Sequence, residues 1–231
     1  MSSRLSASAI ERIADAARVI STGASRFIYR EKKQAKYVYV LCDGGVQMQQ
    51  AGPKREPIVT QLFKAPALFG HEDVLAGDEW AHSVMTVNES VLLEVPRALF
   101  CELVATEPQF GHAILRDLAR RVQLKSNQVR ETVADSTERR VASFLVDHAE
   151  LFGVEVPSEP GAIRIDAPIN QSSIARSLGL SRKTLQRVLG AWLEFGWIAR
   201  AGRRLIVLDL EAVRALTSAQ RAGLACHQEA A

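Results

Sequence analysis

Residues 171–204 carry seven cations, Arg176, Arg182, Lys183, Arg187, Arg200, Arg203 and Arg204, against one acid, Glu194. The net charge of this stretch is +6 in 34 residues, while the whole chain of 231 residues holds 29 Lys and Arg, 26 Asp and Glu, and a formal charge of +3. Such a density suits contact with a polyanion. Within it, Arg182, Lys183, Thr184, Gln186 and Arg187 fall in two consecutive helical turns. Arg can pair bidentately with guanine and Gln with adenine in a DNA major groove. A merely solvated face would explain the charges but not the small and capping residues around them.

Those residues define the elements that must position the cations. Gln171 to Leu178 reads as a short helix with Ile174, Ala175 and Leu178 inward. Gly179-Leu180 is a tight turn, and Ser181 caps a second helix, Arg182 to Phe195, which Gly196 closes. Ala175 is small where the two helices cross, and Gly179 tolerates the positive φ that the turn requires. Leu180, Leu185, Val188 and Leu189 would hold the second helix at its angle. Trp197 to Arg200 and Arg204 to Leu208 flank Ala201-Gly202-Arg203, a two-strand hairpin with a basic tip. The pattern is a helix-turn-helix with a wing. The start of its second helix enters the major groove, and Ser172, Ser173, Arg200, Arg203 and Arg204 are candidates for phosphate contact.

The rest of the chain bounds the alternatives. Apolar residues make up 47% and charged residues 24%, a globular mix that excludes disordered and collagenous classes. The length suits two domains. Charges at Arg4, Glu11, Arg12 and Asp15 interrupt the N-terminus, which does not read as a signal peptide, and no stretch approaches the roughly 18 apolar residues of a membrane span. A cytoplasmic location is expected. Cys42, Cys101 and Cys226 are widely spaced, so no zinc site is expected, and reduced thiols are. No nucleophile elbow, phosphate-binding loop or zinc-protease motif occurs, so no enzyme is expected. Glu72 and Asp73 read as a solvated turn rather than as paired catalytic carboxylates.

Upstream of the basic segment, residues 20–105 are strand-like. Arg26 to Arg30, Tyr37 to Leu41, Val46 to Gln49, Ser83 to Val87 and Val91 to Val95 are separated by Asp43-Gly44-Gly45, Gly52-Pro53 and Asn88-Glu89. Short strands at this spacing predict an antiparallel barrel or roll. Pro108 suits the first turn of a helix that persists to about residue 133. Leu115, Leu118, Val122, Lys125, Val129 and Thr132 alternate three and four apart, as in a dimer seam, while Phe110, Ile114 and Leu124 lie off it and can face the roll. Glu138 to Leu151 reads as an amphipathic helix and Ile163 to Ile165 as a strand. The expected class is α+β. A β-roll sensor domain spans 1–107, a dimerisation helix 108–134 and a winged helix-turn-helix DNA-binding domain 135–231.

The run Asn170 to Leu189, with the order roll, long helix, hinge and winged helix, resembles the CRP/FNR transcription regulators across nearly the whole chain. The resemblance implies a homodimer on a two-fold symmetric double-stranded DNA site with half-sites about one helical turn apart. It also implies an effector signal in the roll and, for an activator, RNA polymerase as a partner. Arg182 and Arg187 match positions where members read guanine or bind nearby phosphate. Lys183 stands where the cyclic-AMP-responsive members carry Glu, so the target sequence is expected to depart from theirs.

In the cyclic-nucleotide binders a Gly-Glu pair is followed some ten residues later by Arg-Ser, the Arg neutralising the cyclic phosphate. Here Phe69-Gly70-His71-Glu72 resembles the start, and the later position falls at about Trp80-Ala81-His82-Ser83. No Arg or Lys occurs from 65 to 96, whereas Glu72, Asp73, Asp78, Glu79, Glu89 and Glu94 do. A buried phosphate without a cation carries a large desolvation cost. Phe69, Gly70, His71, Glu72, His82 and Ser83 are therefore the effector-pocket candidates, with cyclic AMP or GMP not expected in that pocket. The N-terminal cysteine cluster of iron–sulfur members is absent, because the first Cys is 42. His71, His82 and Cys101 are the haem-ligand candidates, and Cys42 or Cys101 the candidates for a thiol switch. A ligand-binding module whose winged helix binds protein is the remaining alternative, which the +6 segment argues against.

Overall fold

The computed structural model describes residues 5–52, 57–134, 136–167, 170–201 and 204–218. The chain divides into two compact units, Met1–Glu131 and Thr132–Ala231.

The first unit begins with α1 (Ala7–Ala16), capped by the Ser6 hydroxyl, which accepts from the Ala9 amide. The strands are β1 (Arg18–Thr22), β2 (Phe27–Tyr29), β3 (Tyr37–Asp43), β4 (Gly45–Ala51), β5 (Pro57–Lys64) and β6 (Ala67–Phe69). Then come α2 (His71–Ala76), β7 (Ser83–Thr86), β8 (Ser90–Pro96), α3 (Arg97–Thr106) and α4 (Pro108–Ala134). Two antiparallel four-stranded sheets form the roll, ordered β1-β8-β3-β6 and β2-β7-β4-β5. Alternation along β3 and β8 sends Val38, Leu41, Leu92 and Val95 into a shared core with Val46, Met48 and Phe69.

Asp43-Gly44 and Asn88-Glu89, readable as simple hairpin turns, instead carry the chain from one sheet to the other. The two corners meet: a Cβ on Gly44, at φ +85°, would lie 2.2 Å from the Glu89 carbonyl oxygen and 2.4 Å from Ser90 Oγ. Only Gly fits there.

In this unit sequence patterning overlooked α1, β1, α2, α3, β5 and β6. The strand β5 is at a sheet edge and opens on Pro, where no ladder amide is needed, so it lacks a strong strand signature. The helix α2 is six residues long, too short for periodicity. The expectation for Glu72 and Asp73 is corrected: both lie in the first turn of α2, and Asp73 is 9% exposed. On α4, Phe110 and Ile114 are buried in the roll core, and Leu118, assigned to the seam, packs partly buried against that same core. Leu115 and Val122 are 62% and 64% exposed. The side chains of Leu124, Val129 and Thr132 lie outside the described residues.

The second unit comprises α5 (Thr137–Phe152), β9 (Gly153–Glu155), β10 (Ile163–Ile165), α6 (Gln171–Ser177), α7 (Arg182–Glu194), β11 (Ile198–Ala201), β12 (Arg204–Val207) and α8 (Leu210–Ser218). Its sheet runs β11-β12-β10-β9, all antiparallel. Val141, Leu145, Ile174, Leu185, Leu189, Trp192 and Val207 form its separate core. Arg214 on α8 holds Glu150 on α5 at 2.8 Å.

Candidate nucleic-acid interface and effector pocket

Three local devices set the angle and start of α7. At the beginning of α6, the Asn170 side chain accepts from the Ser173 amide at 2.9 Å, and Ser173 Oγ accepts from the Asn170 amide at 2.9 Å. Between the helices, the Leu180 amide bonds the Ala175 carbonyl at 2.7 Å and the Gly179 amide bonds the Arg176 carbonyl at 3.0 Å, with Gly179 at φ +62°. Arg140 on α5 donates to the Leu178 carbonyl and closes the end of α6. Ser181 then caps α7 by accepting from the Thr184 amide at 3.0 Å.

Leu185, Val188, Leu189 and Trp192 are buried, which forces the opposite face of α7 outward. Arg182, Lys183, Gln186 and Arg187 are exposed, as is Arg200 on β11. None of these four cations has an ion-pair partner among the described residues. The structure alters the expectation for two hydroxyls. Ser173 also donates to the Asn170 carbonyl at 2.7 Å, and the Thr184 hydroxyl lies 2.7 Å from Ser181 Oγ, so both serve caps. Ser172 is half-buried. Arg203 and the side chain of Arg204 lie outside the described residues.

The pocket candidates sit in the first unit at the start of α2. Phe69 and His71 are fully buried, and His71 Nε2 lies 3.1 Å from Asp117 Oδ2 of α4. That oxygen also accepts from Arg121 Nε at 2.6 Å. Arg121 donates onward to the Leu68 carbonyl at 2.7 Å, reaches Glu72 at 3.5 Å and lies over the Phe63 ring. Burial, and then the Arg121 charge, hold the His71 imidazole below its usual range. Asp73 is raised by burial, with a partly offsetting hydrogen bond from the Ala81 backbone. His82 is lowered by burial, and Lys125 of α4 acts electrostatically on both Asp73 and His82. Ser83 Oγ accepts from the Glu31 amide at 3.0 Å.

Aromatic rings fill the space beside these groups. Trp80 stacks on Tyr29 at 3.8 Å between centroids and lies so close to Gly70 that a Cβ there would meet the indole at 3.0 Å. Tyr29 stacks in turn on Tyr39, and Tyr39 on Phe69. The Tyr29 hydroxyl is buried, without a hydrogen-bond partner among the described residues, and its pKa is pushed well above the usual range by burial.

Residues 20–107 match the cyclic nucleotide-binding domain family, and residues 139–216 the Crp-like helix-turn-helix domain family. A global nitrogen regulator of Nostoc sp. is 30% identical over 160 residues, covering 68% of this chain and 70% of its own length. The chain belongs to the CRP/FNR family. It is a transcriptional regulator with a helix-turn-helix DNA-binding domain. A CRP-like cAMP-activated global transcriptional regulator of Mycobacterium tuberculosis is 24% identical over 184 residues, 80% of this chain and 81% of its own. A CRP-family transcriptional regulator from Thermus thermophilus superposes with a TM-score of 0.70 at 20% identity, covering 86% of this chain and 96% of that one.

For this CRP/FNR chain the structure adds two cations to the pocket region, Arg121, which belongs to no sequence motif, and Lys125, which the heptad spacing assigns to the seam. A search for cations confined to residues 65–96 misses them because α4 delivers them from about 50 residues downstream. The four-residue spacing Asp117, Arg121, Lys125 continuing from Phe110 and Ile114 was the available signal. The six acids of 65–96 are likewise not one uncompensated cluster: Glu72 meets Arg121, Asp78 meets Arg97, and Glu94 meets Arg18.

Proposed function

We propose that the protein is a homodimer that binds a two-fold symmetric double-stranded DNA site. Arg182, Lys183, Gln186 and Arg187 read base edges, and Arg200, Arg203 and Arg204 contact phosphate. The single observation that carries this reading is the capped start of α7, which presents four exposed side chains, three of them unpaired cations. Dimerisation is supported by Leu115 and Val122, seven residues apart and largely exposed on α4. The residues 1–107 serve as sensor, 108–134 as dimer helix and 135–231 as the DNA-binding domain. Among the described residues no helix is long and apolar enough to cross a membrane, which is compatible with a cytoplasmic regulator. If the protein activates, RNA polymerase is its partner.

Selection from random duplexes followed by electrophoretic mobility analysis tests the reading. A palindromic consensus, with affinity falling steeply as salt rises, is expected. No sequence preference would refute it. Lys183→Glu is expected to shift base preference at one position of each half-site, by about 1–3 kcal/mol.

The roll does not respond to cyclic AMP through the pocket at Gly70. Trp80 occupies the space beside Gly70, and Arg121 is already engaged by Asp117, Glu72 and the Leu68 carbonyl. On this reading, activation by cAMP, the named property of the mycobacterial relative, is not expected of this chain. Isothermal titration calorimetry should detect no binding of cyclic AMP at micromolar concentration, and micromolar or tighter affinity would overturn the assignment.

A further inference from the structure

The helix α7 follows α6 after a turn of only a few residues, so whatever fixes the end of α6 also fixes the start of α7. The last carbonyls of a helix have no further helical amide to bond. In α6 the Arg176 carbonyl takes the Gly179 amide at 3.0 Å, and the Ala175 carbonyl takes the Leu180 amide at 2.7 Å. The Leu178 carbonyl is satisfied from another helix, by the guanidinium of Arg140 on α5.

That donor stands on a fixed base. Ser136 caps α5 by accepting from the Arg139 amide at 3.3 Å, and the Arg140 amide bonds the Ser136 carbonyl at 3.1 Å. The next two residues, Val141 and Ala142, are fully buried in the core that also holds Ile174 and Leu185. The guanidinium lies over the turn itself, since a Cβ on Gly179 would lie 3.8 Å from its Nη2. Electrostatics point the same way. Arg140 is the fourth residue of α5, and a cation there opposes the positive end of its own helix dipole. At the C-terminal end of α6 the same charge is favoured. Its placement therefore serves α6 and the turn rather than α5.

We infer that Arg140 is a positioning residue for DNA recognition. By bridging α5 to the end of α6 it fixes the angle at which α7 presents Arg182, Lys183, Gln186 and Arg187, without itself touching DNA. The inference rests on the DNA-binding reading above. Arg182 is four residues beyond Leu178, so loss of the bridge acts at the start of α7 rather than in the core. Hydrogen bonds to base edges depend steeply on angle, whereas attraction to phosphate tolerates a small rotation. Selectivity is then the quantity that Arg140 controls, more than overall attraction to duplex.

The test compares the full chain with Arg140→Met and Arg140→Lys, on the selected site and on an unrelated duplex of the same length. For Arg140→Met the ratio of specific to non-specific affinity should fall about tenfold, with the non-specific affinity and its salt slope unchanged. Arg140→Lys, which keeps a charged donor, should recover most of that ratio. Hydrogen exchange at the Gly179 and Leu180 amides should quicken in the Met variant, while the β11–β12 pair keeps its protection. Equal loss on both duplexes, with a salt slope shallower by about 1, would overturn the inference and assign Arg140 to phosphate contact. An unchanged ratio in a folded Met variant would overturn it as well. If the Met variant does not fold, Arg140→Lys decides: a ratio within roughly threefold of the unaltered protein is expected, and a loss of about tenfold overturns the inference. Failure of the unaltered protein to select any site falls on the DNA-binding reading instead.

Discussion

Arg187 on α7 and Arg121 on α4 carry the same guanidinium into opposite surroundings. Arg187 is exposed with no ion-pair partner among the described residues. Arg121 is 11% exposed and engages Asp117, Glu72 and the Leu68 carbonyl. An unpaired surface cation keeps its charge for an external anion and loses little on desolvation if that anion arrives. A buried, compensated cation is part of the internal structure, and an external anion must first displace its carboxylates. Counting charges by segment treats the two alike, which is why the roll's acids look uncompensated until α4 is in place.

The strongest way to break the contrast between the two units is a glycine pair. Gly44→Ala would set a Cβ 2.2 Å from the Glu89 carbonyl oxygen at a positive φ, so a loss of more than about 4 kcal/mol is expected in the roll. Calorimetry should show the transition of the first unit lost while that of the second persists. In Gly179→Ala the nearest atom to the new Cβ is Arg140 at 3.8 Å, so only the φ of +62° costs, about 1–2 kcal/mol. If the two substitutions proved equally damaging, the distinction between a steric corner and a conformational turn would fail.

Acid separates the units next. His148 in the second unit is 3% exposed, donates from Nδ1 to the Phe144 carbonyl at 2.7 Å, and stacks on the Phe144 ring. Burial lowers its pKa to about 4. Because the folded value lies below the unfolded value of 6.5, the unfolded chain takes up the proton first. Stability is then complete above pH 6.5 and falls as pH drops toward 4, by up to roughly 3 kcal/mol from this residue. His148→Gln should flatten the fall of the second transition over that window, and a variant with the unaltered pH dependence would exclude His148 as the cause.

Arg121→Met sharpens the comparison from the other side. It leaves Asp117 and Glu72, which are only partly exposed, without their cation, and should cost the first unit about 2 kcal/mol. Arg187→Met should leave thermal stability within about 0.5 kcal/mol while weakening DNA binding. Denaturant melts of both variants, beside their DNA affinities, read the two effects separately.

The two sites differed in how legible they were. The helix-turn-helix was readable nearly residue by residue, because its determinants lie within 25 positions: the Ser181 cap, Ala175 at the crossing, and Gly179 in the turn; the Asn170 cap emerged only from the structure. What escaped there was detail, chiefly that the Ser173 and Thr184 hydroxyls are committed to caps. Around Gly70 the sequence offered Phe69, His71, Glu72, His82 and Ser83 as candidates, but not the Arg121 that meets Glu72. Glu72 and Asp73 looked like a solvated turn because nothing adjacent reveals a helix packed over them. Leu118 fits a seam by its spacing yet packs against the roll core, because a heptad count cannot tell one face of a helix from its neighbour.

By itself, the sequence determined the local elements of the DNA-binding unit and the charge that they present. Caps, turns and helical periodicity are interactions between residues a few positions apart, and their geometry follows from backbone preferences alone. Tertiary structure decided the rest: that the corners at Gly44 and Glu89 touch, that Trp80 closes on Gly70, and that Arg121 of α4 meets Glu72 of the roll. Those contacts join residues 10 to 50 positions apart, and electrostatic compensation depends on distance in space. The net charge of a segment therefore says what it carries, and only the fold says what remains available to a partner.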